Sequence, residues 1–321
     1  MKDFKGKTAF ITGGGSGLGL GLAKVFSEAG CKIVIADIRQ DHLDEAMENF
    51  RNKDVTVHPL KLDITDREAY AHAADEVEEI FSGPPELLFN NAGVNTFGPL
   101  EASTYEDWDW LMGVNLFGVV NGMQTFVPRM IKAGKGGHIV TTSSLAAFRG
   151  GPAAAIYSAS KAALNNMMES YRIALEPYNI GVSVCCPANI NTNIHEATRT
   201  RPEHLKKTGY LVNEDSIASM ARLQASGMDP VVLANYIKQG VEENQLYIIP
   251  YPEAKDMLER HFQEILDSIL PEEADPEGMK TRVEAMINWR KDPGESFGKA
   301  VPELTWVKNR RPNPPPLPKK N

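Results

Sequence analysis

Read from its N-terminus, the chain alternates short, almost unbroken apolar runs with longer stretches in which apolar residues recur every three or four positions. TAFIT at 8–12 and KIVIAD at 32–37 are runs of the first kind, and 18–29 between them is of the second. A strand covered on both faces is apolar at nearly every position, whereas a helix lying on a sheet needs one apolar stripe. The alternation therefore predicts βαβ units and a parallel sheet. Further runs at 55–62, 87–90, 138–142, 181–185 and 246–249 bring the expected strands to seven. The fold class expected is α/β: a doubly wound, seven-stranded parallel sheet with helices on both faces and a helical extension after it.

Two segments depart from this rhythm. Residues 187–228 are polar and less regular, and they follow the sixth strand. A long insertion at the carboxyl end of a strand in an open α/β sheet tends to cover a ligand, so this segment is expected to be a lid. After the last strand, Met257, Leu258, Phe262, Ile265, Leu266, Ile269 and Leu270 recur at helical spacing, which predicts a C-terminal appendage over 253–270 with one apolar face to dock. The chain closes on RRPNPPPLPKKN, proline-rich and basic, expected to be an extended tail. The organisation expected is a nucleotide-binding and catalytic domain over 1–250, and a helical extension with the tail over 251–321.

Composition narrows the choice of partner. The 321 residues carry a net charge of -8, which argues against a nucleic-acid surface, since phosphates are met by basic patches. The N-terminus, MKDFKGKTAFIT, has no apolar stretch of the kind a signal peptide needs, and no run approaches the length that spans a bilayer. The three cysteines, Cys31, Cys185 and Cys186, form neither a disulfide framework nor a CxxC pattern, and no metal-ligand spacing occurs. A soluble cytoplasmic protein with no metal, nucleic-acid or membrane partner is expected.

Candidate chemistry begins just after the first predicted strand. In ITGGGSGLGLG, six of eleven residues are glycine, yet no register satisfies G-x-G-x-x-G; Thr12 to Gly19 reads T-G-x-x-x-G-x-G instead. Glycines between a strand and a helix let the backbone turn sharply and approach a pyrophosphate, and the N–H groups at the helix start favour the anion. Gly13, Ser16, Gly17, Leu18 and Gly19 are thus cofactor-binding candidates. The second run ends IADIR, and its Asp37 is spaced to accept hydrogen bonds from the adenosine ribose hydroxyls, with Ile38 beside it. A 2′-phosphate would meet like charge there, which favours NAD over NADP, although Arg39 stands two residues on.

The segment GHIVTTSSLAAFRGGPAAAIYSASKAAL holds the catalytic candidates. Tyr157 and Lys161 lie four apart, on one face of a helix, with Ser144 upstream at the end of the fifth strand. An ammonium beside the phenol favours the phenolate and brings proton transfer towards neutral pH. A second Y-x-x-x-K pair, Tyr251 and Lys255, has Lys238 where the serine would stand, and Tyr251 sits between prolines, so this pair is expected to be structural.

Taken together over about residues 5–250, the TGxxxGxG loop, Asp37, Asp63, NNAG, Ser144 and YxxxK resemble the short-chain dehydrogenase/reductase family, whose fold is of the Rossmann type. The resemblance implies roles for residues that spacing alone does not assign. Asp63 and Ile64 would contact adenine, Asn91, Ala92 and Gly93 would form a cofactor-supporting turn, and Asn115 would support a proton-relay water beside Lys161. Ser144 would orient the substrate oxygen, Tyr157 would act as acid and base, and Lys161 would also bind the nicotinamide ribose. Pro187, Ile190 and Thr192 match the family's P-G-x-x-x-T segment over the nicotinamide, with Ala188 where glycine is usual. A homodimer or homotetramer is implied as well, through helices over 105–132 and 157–178.

NNAGVNTFGPL, CCPANINTNIHEATRTRPEH and ENQLYIIPYPEAK are further similar to Cα-dehydrogenases, which oxidise the benzylic alcohol of lignin-derived arylglycerol-β-aryl ethers. That resemblance implies an aromatic alcohol as substrate, with Asn95, Phe97, Phe148, Ile194 and His195 as candidates for the substrate mouth. Packing of the lid is the alternative role for Phe97 and Phe148, and a surface position on the lid for His195. Another bulky hydroxy or keto compound, steroid- or polyketide-like, is the alternative substrate. A non-catalytic nucleotide-binding protein is the alternative function.

Overall fold

In a computed structural model of the chain, residues 1–291 are described; the proline-rich tail expected at the C-terminus lies outside them. The seven strands are β1 (Thr8–Thr12), β2 (Lys32–Asp37), β3 (Val57–Lys61), β4 (Leu87–Asn90), β5 (Gly137–Thr142), β6 (Ile180–Cys185) and β7 (Tyr247–Ile248). They form one parallel sheet in the order β3-β2-β1-β4-β5-β6-β7. The chain starts in the middle, winds outward to β3, then crosses to β4 and winds outward the other way. This reversal opens a crevice at the carboxyl ends of β1 and β4, the place where such sheets bind nucleotides.

The helices are α1 (Gly17–Glu28), α2 (Gln40–Glu48), α3 (Arg67–Phe81), α4 (Tyr105–Met112), α5 (Gly118–Ala133), α6 (Ala155–Leu175), α7 (Glu214–Ala225), α8 (Pro230–Glu242), α9 (Lys255–Asp267) and α10 (Pro276–Lys291). The apolar stripes of α1, α2 and α8 cover one face of the sheet and those of α3, α5 and α6 the other. On one face Leu22 and Phe26 of α1 and Leu233 and Ile237 of α8 pack with Ile11, Ile33 and Phe89. On the other, Tyr70 of α3, Phe126 of α5 and Met168 of α6 pack with Phe10, Leu88 and Val182. The central strands are therefore buried throughout, as continuous apolar runs require. The edges are weaker: β3 is shorter than the expected 55–62 and carries Pro59, which an edge tolerates, and β7 has only two residues.

The helix expected over 105–132 is interrupted. Between α4 and α5 the residues Gly113–Phe117 form a π-helical turn that turns Asn115 wholly into the interior. Nor is 187–228 as irregular as its polarity suggested. It carries 3₁₀ turns at Ile194–Thr200 and Glu203–Leu205 and all of α7, which starts on a reciprocal Asn213/Ser216 capping box. A parallel bridge between Ile190 and Met228 pins its two ends together.

The chain divides after Leu258, into Met1–Leu258 and a second unit that begins at Glu259. The first holds the sheet and α1 to α8. In the second, Ile265 and Leu266 of α9 and Ile269 and Leu270 just after it are exposed, whereas Leu258, near the start of the predicted apolar face, packs against the core of the first. Among the described residues, no helix is long and apolar enough to cross a membrane.

Candidate active site

The loop after β1 is tied to the turn after β4 through one hydroxyl. Thr12 Oγ1 donates to the Phe89 carbonyl at 3.2 Å and accepts from the backbone N–H of Asn91 at 2.9 Å and of Ala92 at 3.1 Å. Gly13 lies against that turn with φ of 63°, and a Cβ on it would come within 2.9 Å of Ala92 Cα. A Cβ on Gly19 would stand 1.9 Å from the Gly13 carbonyl oxygen, so the helix enters the loop where only glycine fits. The N-cap of α1, Ser16, makes no capping hydrogen bond through its side chain, which leaves the N–H groups of the first turn for an anion.

Asp37 ends β2 and is 8% exposed. Its Oδ2 accepts from Gly15 N–H at 3.1 Å and its Oδ1 from Arg39 N–H at 3.0 Å, so the carboxylate is held beside the loop. Asp63 uses Oδ1 to receive the Thr65 N–H at 2.9 Å and hydroxyl at 2.7 Å. Asn91 donates from Nδ2 to the Thr12 carbonyl at 3.0 Å and accepts from the Thr142 hydroxyl at 3.1 Å, bracing β1, β4 and β5 together. A glycine loop with no room for a Cβ, a helix start rich in donors and a fixed carboxylate at ribose distance in sequence fit a dinucleotide. These residues face one cleft of about 710 Å³, with Gly13, Ser16, Gly17, Leu18, Asp37, Ile38, Asp63, Ile64, Asn91, Ala92, Gly93, Pro187, Ile190 and Thr192 on its walls. Gly19 stands behind the wall.

At the same cleft, Ser144 follows β5 and Tyr157 and Lys161 lie on the first turns of α6. Ser144 Oγ accepts from Ala146 N–H at 3.1 Å and lies 3.5 Å from the Pro187 carbonyl oxygen. It also hydrogen-bonds the Tyr157 hydroxyl; burial pushes that phenol up from its ordinary pKa, and the Ser144 contact opposes the rise. Lys161 Nζ donates to the Thr142 carbonyl at 2.9 Å and sits 5.7 Å from the centre of the Tyr157 ring. Burial brings its ammonium down to about 8. Asn115 stands outside the cleft wall, where Oδ1 accepts from Val94 N–H at 2.8 Å and Nδ2 donates to the Val94 carbonyl at 2.9 Å. The π turn is what directs it there. Tyr251 of the second Y-x-x-x-K pair is buried, and its hydroxyl donates to the Asn189 carbonyl at 3.3 Å.

On the substrate side, Asn95, Phe97 and Ile194 line the cleft, and the Phe97 ring stands edge-on to Tyr157 at 5.8 Å. Two candidates do not reach it. Phe148 stacks at a tilt against Tyr247, 5.7 Å away, because the 3₁₀ turn after Ser144 carries it over the core rather than the mouth. His195 turns its Nδ1 onto Gln224 Oε1 at 2.9 Å, tying the 3₁₀ turn Ile194–Thr200 to α7 within the 187–228 segment.

Several wall residues carried no signal in the sequence. Trp110, His204, Leu205, Met220 and Leu223 line the cleft. Behind them is a buried ion pair: Arg201 Nη1 meets Asp107 Oδ1 at 2.6 Å, with side chains 5% and 0% exposed. Arg201 also donates from Nη2 to the Lys207 carbonyl at 2.9 Å and lies over the Trp110 ring at 5.0 Å. The pair thus fastens the 187–228 segment to α4, and neither residue belongs to a spacing that could have announced it.

The family described as short chain dehydrogenase matches residues 7–203. The C alpha-dehydrogenase of Sphingobium sp. (strain NBRC 103272 / SYK-6) is 57% identical over 292 residues, 91% of this chain and 96% of that protein. The LigD apo structure from Sphingobium sp. strain SYK-6 aligns at 52% identity with a TM-score of 0.71, covering 84% of this chain and 100% of that one. A short chain dehydrogenase/reductase from Burkholderia phymatum in complex with NAD aligns at 31% identity with a TM-score of 0.79, over 84% and 98% of the two chains.

Proposed function

The chain belongs to the short-chain dehydrogenase/reductase family of nicotinamide-dependent oxidoreductases, and on that premise we propose that it oxidises the benzylic secondary alcohol of an arylglycerol-β-aryl ether to the α-ketone, with NAD as acceptor. The observation that carries this reading is the meeting, in one cleft, of Tyr157 and Ser144 with the aromatic wall of Phe97 and Trp110. The likeness to a C alpha-dehydrogenase supports the substrate, and Asp37 supports NAD over NADP.

NAD, held by the glycine loop and Asp37, would supply the acceptor for the hydride of the carbinol carbon. Tyr157 as phenolate takes the hydroxyl proton at Oη, so that C–H and O–H bonds break as the C=O bond forms. Ser144 Oγ holds the substrate oxygen while its charge changes. Lys161 supplies positive charge one turn along α6 and favours the phenolate against the burial that opposes it. Asn115, fixed to both polar groups of the Val94 backbone, supports the water that passes the proton onward. Phe97, Trp110 and the lid residues receive the aryl rings, with Asn95 as a polar anchor. In this reading 187–228 is the substrate lid of the domain over 1–250, and the protein works in the cytoplasm as a homodimer or homotetramer.

The test is nicotinamide absorbance with NAD or NADP and the separated stereoisomers of guaiacylglycerol-β-guaiacyl ether. Reduction of NAD by one set of stereoisomers is the expected result. Silence with that ether and turnover of another bulky secondary alcohol would keep the Tyr157 chemistry and discard the substrate.

A further inference from the structure

Arg39 lies two residues beyond Asp37 and lines the same cleft, where a guanidinium is a suitable partner for a 2′-phosphate. Its guanidinium already faces two carboxylates. One edge of the fork pairs with Asp41 of α2: Nε donates to Oδ1 at 3.1 Å and Nη2 to Oδ2. The remaining Nη1 is 3.6 Å from Glu196 Oε2, on the 3₁₀ turn Ile194–Thr200 of the lid. The Arg39 and Glu196 side chains are each 29% exposed, so the contact is more sheltered than an ordinary surface pair. Glu196 is itself held from behind, its Oε1 accepting from Arg199 Nη1 at 3.0 Å. A second lid contact lies beside the first, Asn193 Nδ2 standing 3.4 Å from His42 Nε2.

We propose that Glu196, acting with Asp41, is a specificity-determining residue for the cofactor: the two carboxylates hold the Arg39 guanidinium, so that a 2′-phosphate finds the negative rim of Asp37, Asp41 and Glu196 without a cation to receive it. The inference rests on the NAD reading above and adds that the lid, as well as the end of β2, enforces it. Discrimination of this kind works against the wrong ligand rather than for the right one. A 2′-phosphate must draw Arg39 away from contacts already made, while NAD has nothing to ask of it.

The experiment measures dissociation constants of NAD, NADP and the probe 2′,5′-ADP by titration calorimetry, together with kcat/KM for both cofactors. The proteins are wild type, Asp41→Asn, Glu196→Gln, the double variant, and the double variant with Arg39→Ala. The quantity read is the ratio of the NADP to the NAD dissociation constant. It falls about threefold in each single variant and about tenfold in the double, the size of one charge-assisted hydrogen bond, with 2′,5′-ADP tightening in parallel. The gain vanishes when Arg39→Ala is added. An unmoved ratio in the double variant overturns the proposal, as does a gain that survives without Arg39, which would mean a general change of charge. Asp41→Asn is a surface change on α2 and keeps the test open should the lid variant fold poorly. A wild type that binds NADP as tightly as NAD removes the NAD reading itself and the proposal with it; an unmoved ratio on top of a wild-type preference for NAD removes the proposal alone.

Discussion

In the proposed reading, the cofactor wall of the cleft is made of strand ends, whereas the substrate wall is made with a lid, the 187–228 segment, laid across them. Thr12, Asp37, Asp63, Asn91, Ser144 and Pro187 each lie at or just beyond the carboxyl end of one of the strands β1 to β6, and the parallel sheet brings them to a single edge. Nothing comparable organises Trp110, Arg201, His204 and Leu205. They converge because the buried Asp107–Arg201 pair pulls the lid onto α4. Position in the first wall is a consequence of topology; in the second it depends on individual contacts.

Perturbing each wall should therefore fail differently. The largest effect is expected from Tyr157→Phe, which removes the proton acceptor: kcat falls by about 10³-fold, while calorimetry shows cofactor affinity falling far less. Gly19→Ala attacks the cofactor wall from behind, since its Cβ would overlap the Gly13 carbonyl oxygen. Affinity for the nicotinamide nucleotide should drop by about 100-fold and the thermal transition should fall with it, because the atom overlapped is backbone; tight binding by this variant would show that the loop can relax.

Arg201→Met leaves Asp107 buried and unpaired, which costs about 3–5 kcal/mol in comparable cases. Because the pair belongs to the lid wall, denaturant titration should show this loss together with a KM for the alcohol raised by about tenfold, and a cofactor dissociation constant that moves little.

A smaller effect concerns Lys161, whose folded-state pKa is about 8 against 10.5 for the ordinary side chain. Below pH 8 the folded protein carries the cost of burying the ammonium. Between about pH 8 and 10.5 the folded state sheds the proton while the unfolded chain still binds it, so stability rises with pH in that window. Relative to Lys161→Met, the wild type should gain on the order of 1–3 kcal/mol as pH climbs through it. A difference independent of pH would contradict the burial argument. The smallest effect is expected from Phe148→Ala: with its ring on Tyr247 rather than in the cleft, KM should change by less than about twofold, whereas Phe97→Ala should raise it clearly.

The same contrast explains what could be read in advance. The sheet was legible because strands buried on both faces leave unbroken apolar runs, and every residue of β1 and β4 is buried as its run implies. The order of motifs along the chain brought Gly13, Asp37, Ser144, Tyr157 and Lys161 to one cleft, since each is spaced by whole strands and helices. Element edges were less legible: β7 stops after two residues where four were expected, for nothing in LYII marks where the ladder ends. The π turn was invisible, because one extra residue per turn leaves the apolar periodicity of 105–132 almost intact. Helix α7 was hidden by its polar sequence, which buries only Gln224 and takes its start from a capping box rather than an apolar stripe. Phe148 and His195 were chosen for proximity in sequence to the site, and side-chain direction decided otherwise. Trp110 sits in a core cluster with Leu111, Ile156 and Tyr210, and no spacing in the sequence sets it apart from any other core aromatic.

The bridge between Ile190 and Met228 has a further implication. Asn191 N–H donates to the Met228 carbonyl at 3.0 Å and Met228 N–H to the Asn189 carbonyl at 3.0 Å, so the lid leaves the body and returns to it at adjacent points. A loop closed at its base can change length at small entropic cost and leaves the sheet beneath it undisturbed. The segment is in effect an exchangeable cassette: if it is the substrate lid proposed above, descendants of this chain can rewrite what they recognise between those two residues while inheriting Ser144, Tyr157 and Lys161 unaltered.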